Sequence, residues 1–256
     1  MSQQRVQSLE RALDLLEALA DADELGVSEI AARTGLVPST AHRLLGTLVA
    51  RGYAAQSPGT GRYLLGYKLL ELTSGLQDRL HRLKTAARPH LEAIQAATGE
   101  TTNLVVLEGR DVVYVDSVAG TRSVRLFMEV GRAIPAHTSG AGKALLAWRD
   151  PEDVASLLGK APLAASTPHT LTTLAALQED LARIRRRGYS TDNEEHELGV
   201  ACVAPPVFDH AGVPQAAISV TGPTPRSLNA DTEKMAGLLR GHAEQVSEAL
   251  GATQPE

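Results

Sequence analysis

Residues 38–50 carry two sets of side chains that a helix would present on opposite faces. Apolar side chains recur at the i, i+3, i+4 and i+7 spacing of one helix face; they are Ala41, Leu44, Leu45 and Leu48. Short, polar or basic side chains repeat this spacing, as Ser39, His42, Arg43 and Gly46. Arginine can pair with guanine O6 and N7 in the major groove, and serine or threonine can contact bases or phosphates. The polar face therefore predicts a helix that reads DNA, with these candidate contacts: Ser39, Thr40, His42, Arg43 and Thr47.

The preceding segments predict two further helices. Leucines at helical spacing predict an amphipathic helix over residues 6–20. A second, short helix is expected over residues 27–34, with Ser28 as its N-cap and Gly35 as its stop. Pro38 suits the first turn of the third helix because its fixed φ fits a helix start. Together these segments predict a helix-turn-helix, in which one helix braces the next.

A β-hairpin is predicted directly after the third helix. Two short extended segments between residues 53 and 65 flank a Ser-Pro-Gly-Thr-Gly tip, which is typical of a hairpin with an exposed loop. Arg62 lies at this wing, where it can contact the DNA backbone or the minor groove. A polar helix face alone also describes an ordinary surface helix. The order helix, turn, helix and hairpin favours the DNA-binding interpretation.

The remainder of the chain predicts a mixed α+β domain with mostly antiparallel strands. A connecting helix over residues 67–84 is expected to end near Pro89, with another helix over residues 89–98. From residue 101 the apolar spacing changes to the period of a strand. Strands are predicted at residues 102–107, 112–118, 124–128, 201–208 and 216–221. Helices are predicted at residues 139–148, 152–158, 173–187 and 230–250.

The Gly-Ala-rich segment at residues 138–142 predicts a small-molecule site. It opens a helix after a strand and loop, and the free N–H groups of a helix start can hold a carboxylate. Gly140 and Ala141 would let a ligand approach the backbone closely. Nucleotide motifs do not fit: a phosphate-binding loop would need glycine at His137 and serine or threonine at Ala144. The alternative is a helix start that simply packs tightly.

Other candidate pocket residues each have a plainer interpretation. Ser219 and Thr221 are two apart in a strand, so they share a face and could instead contact water. Cys202 begins an apolar strand and could be a small core residue. Asp192 opens an acidic run that could be a solvated loop.

Composition excludes several classes of protein. The chain has 256 residues, a net charge of -5 and one cysteine, so no intramolecular disulfide and no multi-cysteine zinc site can form. The acidic balance argues against a protein coated in basic patches, and 3% aromatic residues argue against single-strand binding. No apolar run has the length of a membrane span and no signal peptide is predicted, so we expect a cytoplasmic protein. His137, His196 and Cys202 lack zinc-motif spacing, and no nucleophile elbow exists, so neither a metal site nor an enzyme is predicted.

Four motifs in order resemble the IclR family of bacterial transcription regulators. They lie at residues 35–66, 135–147, 192–199 and 218–223, and the likeness covers nearly the whole chain. The resemblance implies a winged helix-turn-helix domain at residues 1–66, a linker helix at 67–88 and a GAF-like effector-binding domain at 89–252. It also implies homodimers or tetramers and a small-molecule effector, with no cofactor.

The resemblance also implies which residues line the effector cavity. Those at matching family positions are Gly140, Ala141, Asp192, Cys202, Ser219 and Thr221. Leu126 and Met128 fall near its apolar wall. Thr221 stands where other members can carry serine, so its extra methyl group could narrow the pocket.

We therefore predict a sequence-specific transcriptional regulator that binds a pseudo-palindromic operator in double-stranded DNA. Repression is favoured over activation, and the effector is expected to be a metabolic carboxylate or an aromatic compound. The alternative is a ligand-binding interaction protein whose winged helix contacts other proteins.

Overall fold

The computed structural model describes residues 6–159, 162–229 and 231–252, and only the backbone of Arg79. The chain divides into two compact units, Met1–Arg79 and Leu80–Glu256, and the division falls inside a long helix.

The first unit is a winged helix-turn-helix, as predicted. Its elements are α1 (Gln7–Ala20), α2 (Val27–Thr34), α3 (Pro38–Ala50), β1 (Ala54–Gln56) and β2 (Tyr63–Leu65). The two strands pair in antiparallel fashion. One apolar core joins the three helices to the hairpin through residues such as Leu15, Ile30, Leu45 and Tyr63. Because α3 buries one face in this core, its opposite face is left to solvent.

Two of the three helix-end predictions for this unit are confirmed. Gly35 ends α2 in the left-handed conformation at φ 65°, and Pro38 is the first residue of α3. The prediction for Ser28 is wrong, because Gly26 is the N-cap of α2. The Gly26 N–H donates to the Glu29 carboxylate at 2.7 Å, so the free donor at this helix start is satisfied from within the helix.

Helix α4 (Lys68–Thr98) is continuous, and the predicted break near Pro89 is wrong. Proline removes one N–H donor and crowds the preceding turn, which normally breaks a helix. Here Leu83, Ala87, Leu91 and Ile94 lie on one face of α4, and all four are buried in a single core with the sheet of the second unit. Burial of this apolar face on both sides of Pro89 holds the helix together across it.

The second unit is a mixed α+β domain. Its strands are β3 (Thr101–Glu108), β4 (Asp111–Val118), β5 (Ala133–Pro135), β6 (Ser190–Asn193), β7 (Val200–Ala204), β8 (Pro206–Phe208) and β9 (Pro214–Pro223). Its helices after α4 are α5 (Gly140–Leu146), α6 (Pro151–Leu158), α7 (Leu174–Arg187), α8 (Thr224–Ser227) and α9 (Thr232–Ala249). A 3₁₀ turn at Ala136–Thr138 leads into α5.

The seven strands form one antiparallel sheet in the order β5-β4-β3-β9-β7-β6, with β8 also paired to β9. Helices α5, α6 and α7 cover one face, where Val105, Tyr114 and Ala217 are buried. The C-terminal half of α4 and helix α9 cover the other face, where Leu104, Ile218 and Val220 are buried. Side chains therefore alternate between the two faces of the sheet along β9, as predicted.

Two strand predictions are corrected by the structure, and two of its strands were not predicted. Residues 124–128 form no strand, and their side chains are partly or largely exposed because the segment lies outside the sheet. The expected strand over 201–208 is two strands, because Pro205 lies between β7 and β8. Strands β5 and β6 were not predicted at all. The last helix begins at Thr232, and residue 230 lies outside the described residues.

Candidate DNA interface and effector site

Helix α3 presents the predicted polar strip to solvent. Ala41, Leu45 and Leu48 are buried and Leu44 is half-buried, so the apolar face is committed to the core. On the other side Thr40 is half-buried, and these residues are exposed: Ser39, His42, Arg43, Gly46 and Thr47. The Thr47 hydroxyl donates to the Arg43 carbonyl oxygen at 3.3 Å. The geometry is that of a helix whose outer face is free to enter a groove.

Arg62, the predicted wing contact, is engaged within the first unit. Its guanidinium lies 2.6 Å from the Glu29 carboxylate and donates to the Glu24 carbonyl oxygen at 3.2 Å. The hydrogen bond from the Gly26 N–H, together with Arg62, holds the pKa of Glu29 below its usual value. A phosphate contact by Arg62 therefore has to compete with this carboxylate, which the sequence did not reveal.

Sheet register brings four of the candidate effector residues together on the face covered by α5. Asp192 on β6 lies opposite Cys202 on β7, and Cys202 lies opposite Thr221 on β9. Ser219 is two residues along the same strand. All four are buried, at 4%, 6%, 4% and 1% exposure respectively, so they face neither water nor a solvated loop.

The start of α5 packs directly over this row. A Cβ atom added at Gly140 would lie 3.0 Å from the Cys202 sulfur and 3.3 Å from the Asp192 nitrogen. Gly140 and Ala141 are both buried, and the Ser190 hydroxyl donates to the Gly140 carbonyl oxygen. The missing side chain at Gly140 thus allows the helix to approach β6 and β7 closely. This close contact is also what the tight-packing alternative predicts.

Both ionisable groups of the row are shifted toward their neutral forms. Burial raises the pKa of Asp192 from 3.8 to about 7, against the hydrogen bond that it accepts from the Glu195 N–H at 2.7 Å. Burial, and then the nearby Asp192, raises the pKa of Cys202 to about 12. This row of side chains therefore carries a neutral thiol and a carboxyl that titrates near pH 7.

Asn103 is a buried part of this site that sequence reasoning missed. It lies on β3 between Ser117 of β4 and Ser219 of β9 in the sheet register. Its side-chain amide donates to both the Ser219 and the Thr221 hydroxyl oxygens at 3.3 Å. A polar residue at an inward position of an apolar strand was the available signal, but it has meaning only once the strand order is known.

Lys143 is a second residue that the sequence did not assign to any role. Its ammonium group is 1% exposed and contacts the Glu195 carboxylate at 2.6 Å and the Asp180 carboxylate at 2.9 Å. Glu195 in turn donates its N–H to Asp192. Lys143 thereby ties α5 to the turn after β6, whose Glu195 also bonds to Asp192.

The two candidates for the apolar wall lie in the segment between β4 and β5. Met128 is half-buried and packs against the core that contains Tyr114, Ala141 and Cys202. Leu126 is also half-buried, and its carbonyl oxygen accepts a hydrogen bond from the Thr101 hydroxyl at 2.5 Å. Met128 thus packs against the same core as Cys202, although the strand predicted here is absent.

The two histidines considered as zinc ligands have other partners. The His137 ring contacts the Ala164 carbonyl oxygen at 2.9 Å, and the His196 ring contacts the Thr138 hydroxyl at 3.1 Å. Among the residues that the structure describes, no group of three or more His, Cys, Asp or Glu side chains could hold a metal ion. In the same parts of the chain, no helix has the length and apolar character to cross a membrane.

Comparison with known families decides the identity. The family described as "IclR helix-turn-helix domain" matches residues 8–58, and "Bacterial transcriptional regulator IclR C-terminal" matches residues 78–248. This chain belongs to the IclR family of bacterial transcriptional regulators. The resemblance of its four motifs is confirmed. As an IclR-family member the protein is a DNA-binding transcriptional regulator with a C-terminal effector domain.

Full-length relatives support the assignment. The transcriptional repressor IclR of Escherichia coli K12 is 38% identical over 251 residues, which are 96% of this chain and 91% of the relative. The regulator BhcR of Paracoccus denitrificans is 40% identical, over 94% of this chain and 86% of the relative. A crystal structure of an IclR homologue from Microbacterium hydrocarbonoxydans complexed with 4-hydroxybenzoate is 32% identical. It superposes with a TM-score of 0.78, covering 96% of this chain and 100% of the other.

Proposed function

We propose that this IclR-family protein is a repressor whose operator binding is controlled by a small carboxylate or aromatic effector. The observation that carries the proposal is the combination of a solvent-exposed polar face on α3 with a buried row of polar side chains in the second unit. The Escherichia coli relative is named a repressor, and one solved homologue holds an aromatic carboxylate, which supports both parts.

On DNA, the exposed residues of α3 read the major groove. Arg43 and His42, helped by Ser39 and Thr40, contact base edges, and Thr47 lies on the same exposed side. Arg62 contacts a phosphate, either after breaking its ion pair with Glu29 or while keeping it. Two winged helices in a dimer reach successive major grooves, so the operator is pseudo-palindromic.

In the second unit, the effector occupies the site beside the start of α5. Gly140, Ala141 and Met128 form one side, and the row from Asp192 to Ser219 forms the floor. Leu126 belongs to the segment that borders the site. Effector binding alters DNA binding through α4, which runs from one unit into the other. Such coupling typically amounts to about 1–3 kcal/mol.

The runner-up function is a ligand-binding protein whose winged helix contacts proteins. Binding to the DNA upstream of the protein's own gene and of neighbouring operons distinguishes the two functions. We expect binding that weakens steeply as salt rises, because Lys and Arg contacts to phosphate release counterions. It is measured by mobility shift at several salt concentrations, with substrate turnover absent. Unchanged DNA migration at low salt would favour the protein-binding alternative.

Cytoplasmic location remains a prediction.

Self-association is predicted from apolar residues that the first unit exposes. Leu9 and Leu13 share one side of α1, and Leu72 and Leu76 share one side of α4, each 45% to 59% exposed. We expect Leu72→Glu with Leu76→Glu to convert a dimer into a monomer, since charges there would be desolvated in an interface. Sedimentation velocity measures the change. Gln77→Glu, an exposed change on the same helix, should leave the dimer intact; an unchanged double variant would contradict the surface.

The raised pKa of Asp192 predicts a pH dependence of stability. Between pH 4 and pH 7 the folded state holds a proton that the unfolded state releases, so the free energy of unfolding should fall as pH rises toward about 7. Asp192→Asn should remove this slope. The test is urea unfolding at pH 5, 6, 7 and 8.

Asp209→Asn is the matched control for this experiment. Hydrogen bonds from the Val213 and Ala211 N–H groups lower the pKa of Asp209, so its carboxylate is ionised in both states above pH 5. Its profile should run parallel to that of the unmodified protein. If the Asp192→Asn profile is also parallel, Asp192 does not titrate near pH 7.

A further inference from the structure

Two histidines on different helices of the second unit are in direct contact. His90 lies on α4 and His242 on α9, and their Nδ1 atoms are 3.0 Å apart. The rings meet edge to face, with centroids 5.2 Å apart and an angle of 66° between their planes. Both side chains are half-buried. Helices α4 and α9 cover the face of the sheet opposite α5, so the pair is separate from the proposed effector site.

The core beneath the pair holds the two rings together. Leu91 follows His90 and Ala243 follows His242, and both are buried in the core that α4 and α9 share with the sheet. Because this core holds the two helix backbones close together, the rings stay neighbours whether or not they bond to each other. A ligand that binds both rings therefore meets a pre-organised pair and loses little affinity to ordering them.

The helix positions around the pair are uncharged. The nearest cations along the chain are engaged elsewhere: Arg88 pairs with Glu92 and Asp116. Arg240 donates to the Arg187 carbonyl oxygen at 3.4 Å. The positions three and four residues from each histidine hold no charged side chain; they are Ala86, Ala87, Ala93, Ile94, Leu238, Leu239, Gln245 and Val246. A cation bound between the two rings would meet no repelling charge from these positions.

The contact between the two Nδ1 atoms places metal-binding groups side by side. A neutral imidazole carries a hydrogen on one nitrogen and a lone pair on the other. In a neutral pair one Nδ1 therefore donates to the other across 3.0 Å. If the donating ring moves its hydrogen to Nε2, both Nδ1 lone pairs become available without net loss of a proton. The neutral imidazole nitrogen is the commonest metal ligand in proteins.

The separation of the two nitrogens fits two ligands of one metal ion. Metal–imidazole bonds are about 2.0–2.1 Å long, so two of them at roughly 90° place their nitrogens about 2.9 Å apart. A tetrahedral angle would place them roughly 3.4 Å apart. The observed 3.0 Å is closer to the right-angle value. Angles near 90° are typical of tetragonal Cu²⁺ and Ni²⁺, which imidazole ligands suit.

We propose that His90 and His242 form a two-histidine site for a divalent transition metal with ligand angles near 90°, namely Ni²⁺ or Cu²⁺. Each ring turns its Nδ1 toward the ion, and water completes the coordination. The bound ion cross-links the C-terminal half of α4 to α9. Because the unfolded chain does not hold the two rings together, metal binding stabilises the folded state. The site does not depend on the proposed function.

Titration of the full chain with Ni²⁺, followed by calorimetry, tests the site. His90→Asn and His242→Asn should each weaken Ni²⁺ binding roughly tenfold or more, because the second ring of the pair binds at high effective concentration. Asparagine keeps a polar group near the Nδ1 position, so the contact between the helices is largely retained. The double variant should bind no more weakly than either single variant. His81→Ala, an exposed histidine on the same helix, is the matched control and should keep the affinity.

Urea unfolding gives a second readout. Ni²⁺ should raise the unfolding midpoint of the unmodified protein and of His81→Ala, but not that of either asparagine variant. Mg²⁺, which prefers oxygen ligands, should raise none of them. Midpoints without metal show whether each variant is folded. If a variant is unfolded, the unmodified protein still decides, because the absence of any rise with Ni²⁺ would overturn the site.

Three further results would contradict the proposal. Unchanged Ni²⁺ affinity in both asparagine variants would show that the metal binds at other residues. A double variant whose loss is the product of the two single losses would show that the histidines do not share one ion. Tighter binding of Zn²⁺ than of Ni²⁺ would show a tetrahedral site and overturn the inferred right-angle geometry.

Discussion

Replacing Lys143 with methionine should lower the free energy of unfolding by about 3–5 kcal/mol, the cost of breaking a buried ion pair from one side. The ammonium group is 1% exposed and contacts both Glu195 and Asp180 within 2.9 Å. Methionine has a similar length, so the change removes the charge with little change in packing. The buried Glu195 carboxylate is then left without its cation, and Asp180 keeps only its pair with the exposed Arg183 at 3.2 Å.

Urea unfolding of the full chain measures this loss. Lys234→Met, the same substitution at an exposed position of α9, should change stability by no more than about 0.5 kcal/mol. Adding Glu195→Gln to Lys143→Met should recover part of the loss, because one uncompensated charge is removed. If Lys143→Met costs less than about 1 kcal/mol, Lys143 does not hold the turn that carries Glu195 against α5.

Replacing Arg43 with alanine should weaken operator binding by about 1–3 kcal/mol, which corresponds to roughly 5- to 150-fold. Arg43 is exposed on the polar strip of α3, where a bidentate contact to guanine can form. Because a base contact reads one position, the variant should also tolerate changes at one base pair that the unmodified protein rejects. Fluorescence anisotropy with the footprinted operator and its single-base variants measures both effects.

Arg186→Ala is the matched control for the lost charge. Arg186 is exposed on α7 in the second unit, so its removal lowers net charge equally without touching α3. We expect its operator affinity to stay close to that of the unmodified protein. An Arg43→Ala variant that loses affinity equally for every sequence would assign Arg43 to phosphate contact and remove its base-reading role.

Local patterns were sufficient to predict the buried side of α3 and two helix ends in the DNA-binding unit. The spacing of Ala41, Leu45 and Leu48 determines which side of α3 is buried, because helical periodicity depends only on neighbours within two turns. Gly35 and Pro38 mark helix ends through their own backbone preferences. In the second unit, the period of two along β9 separated Ser219 and Thr221 from Ile218 in the same way.

Only the tertiary structure decided the features that depend on distant partners. Pro89 stays inside α4 because apolar residues on both sides of it are buried in the core with the sheet, which outweighs the preference of proline to end a helix. Arg62 is paired with Glu29, 33 residues away, and Lys143 with Glu195, 52 residues away. Asn103 meets Ser219 only through the strand order of the sheet. The energy of burying and pairing such groups depends on which strands and helices are neighbours in space. The local spacing of residues along the chain does not determine those neighbours.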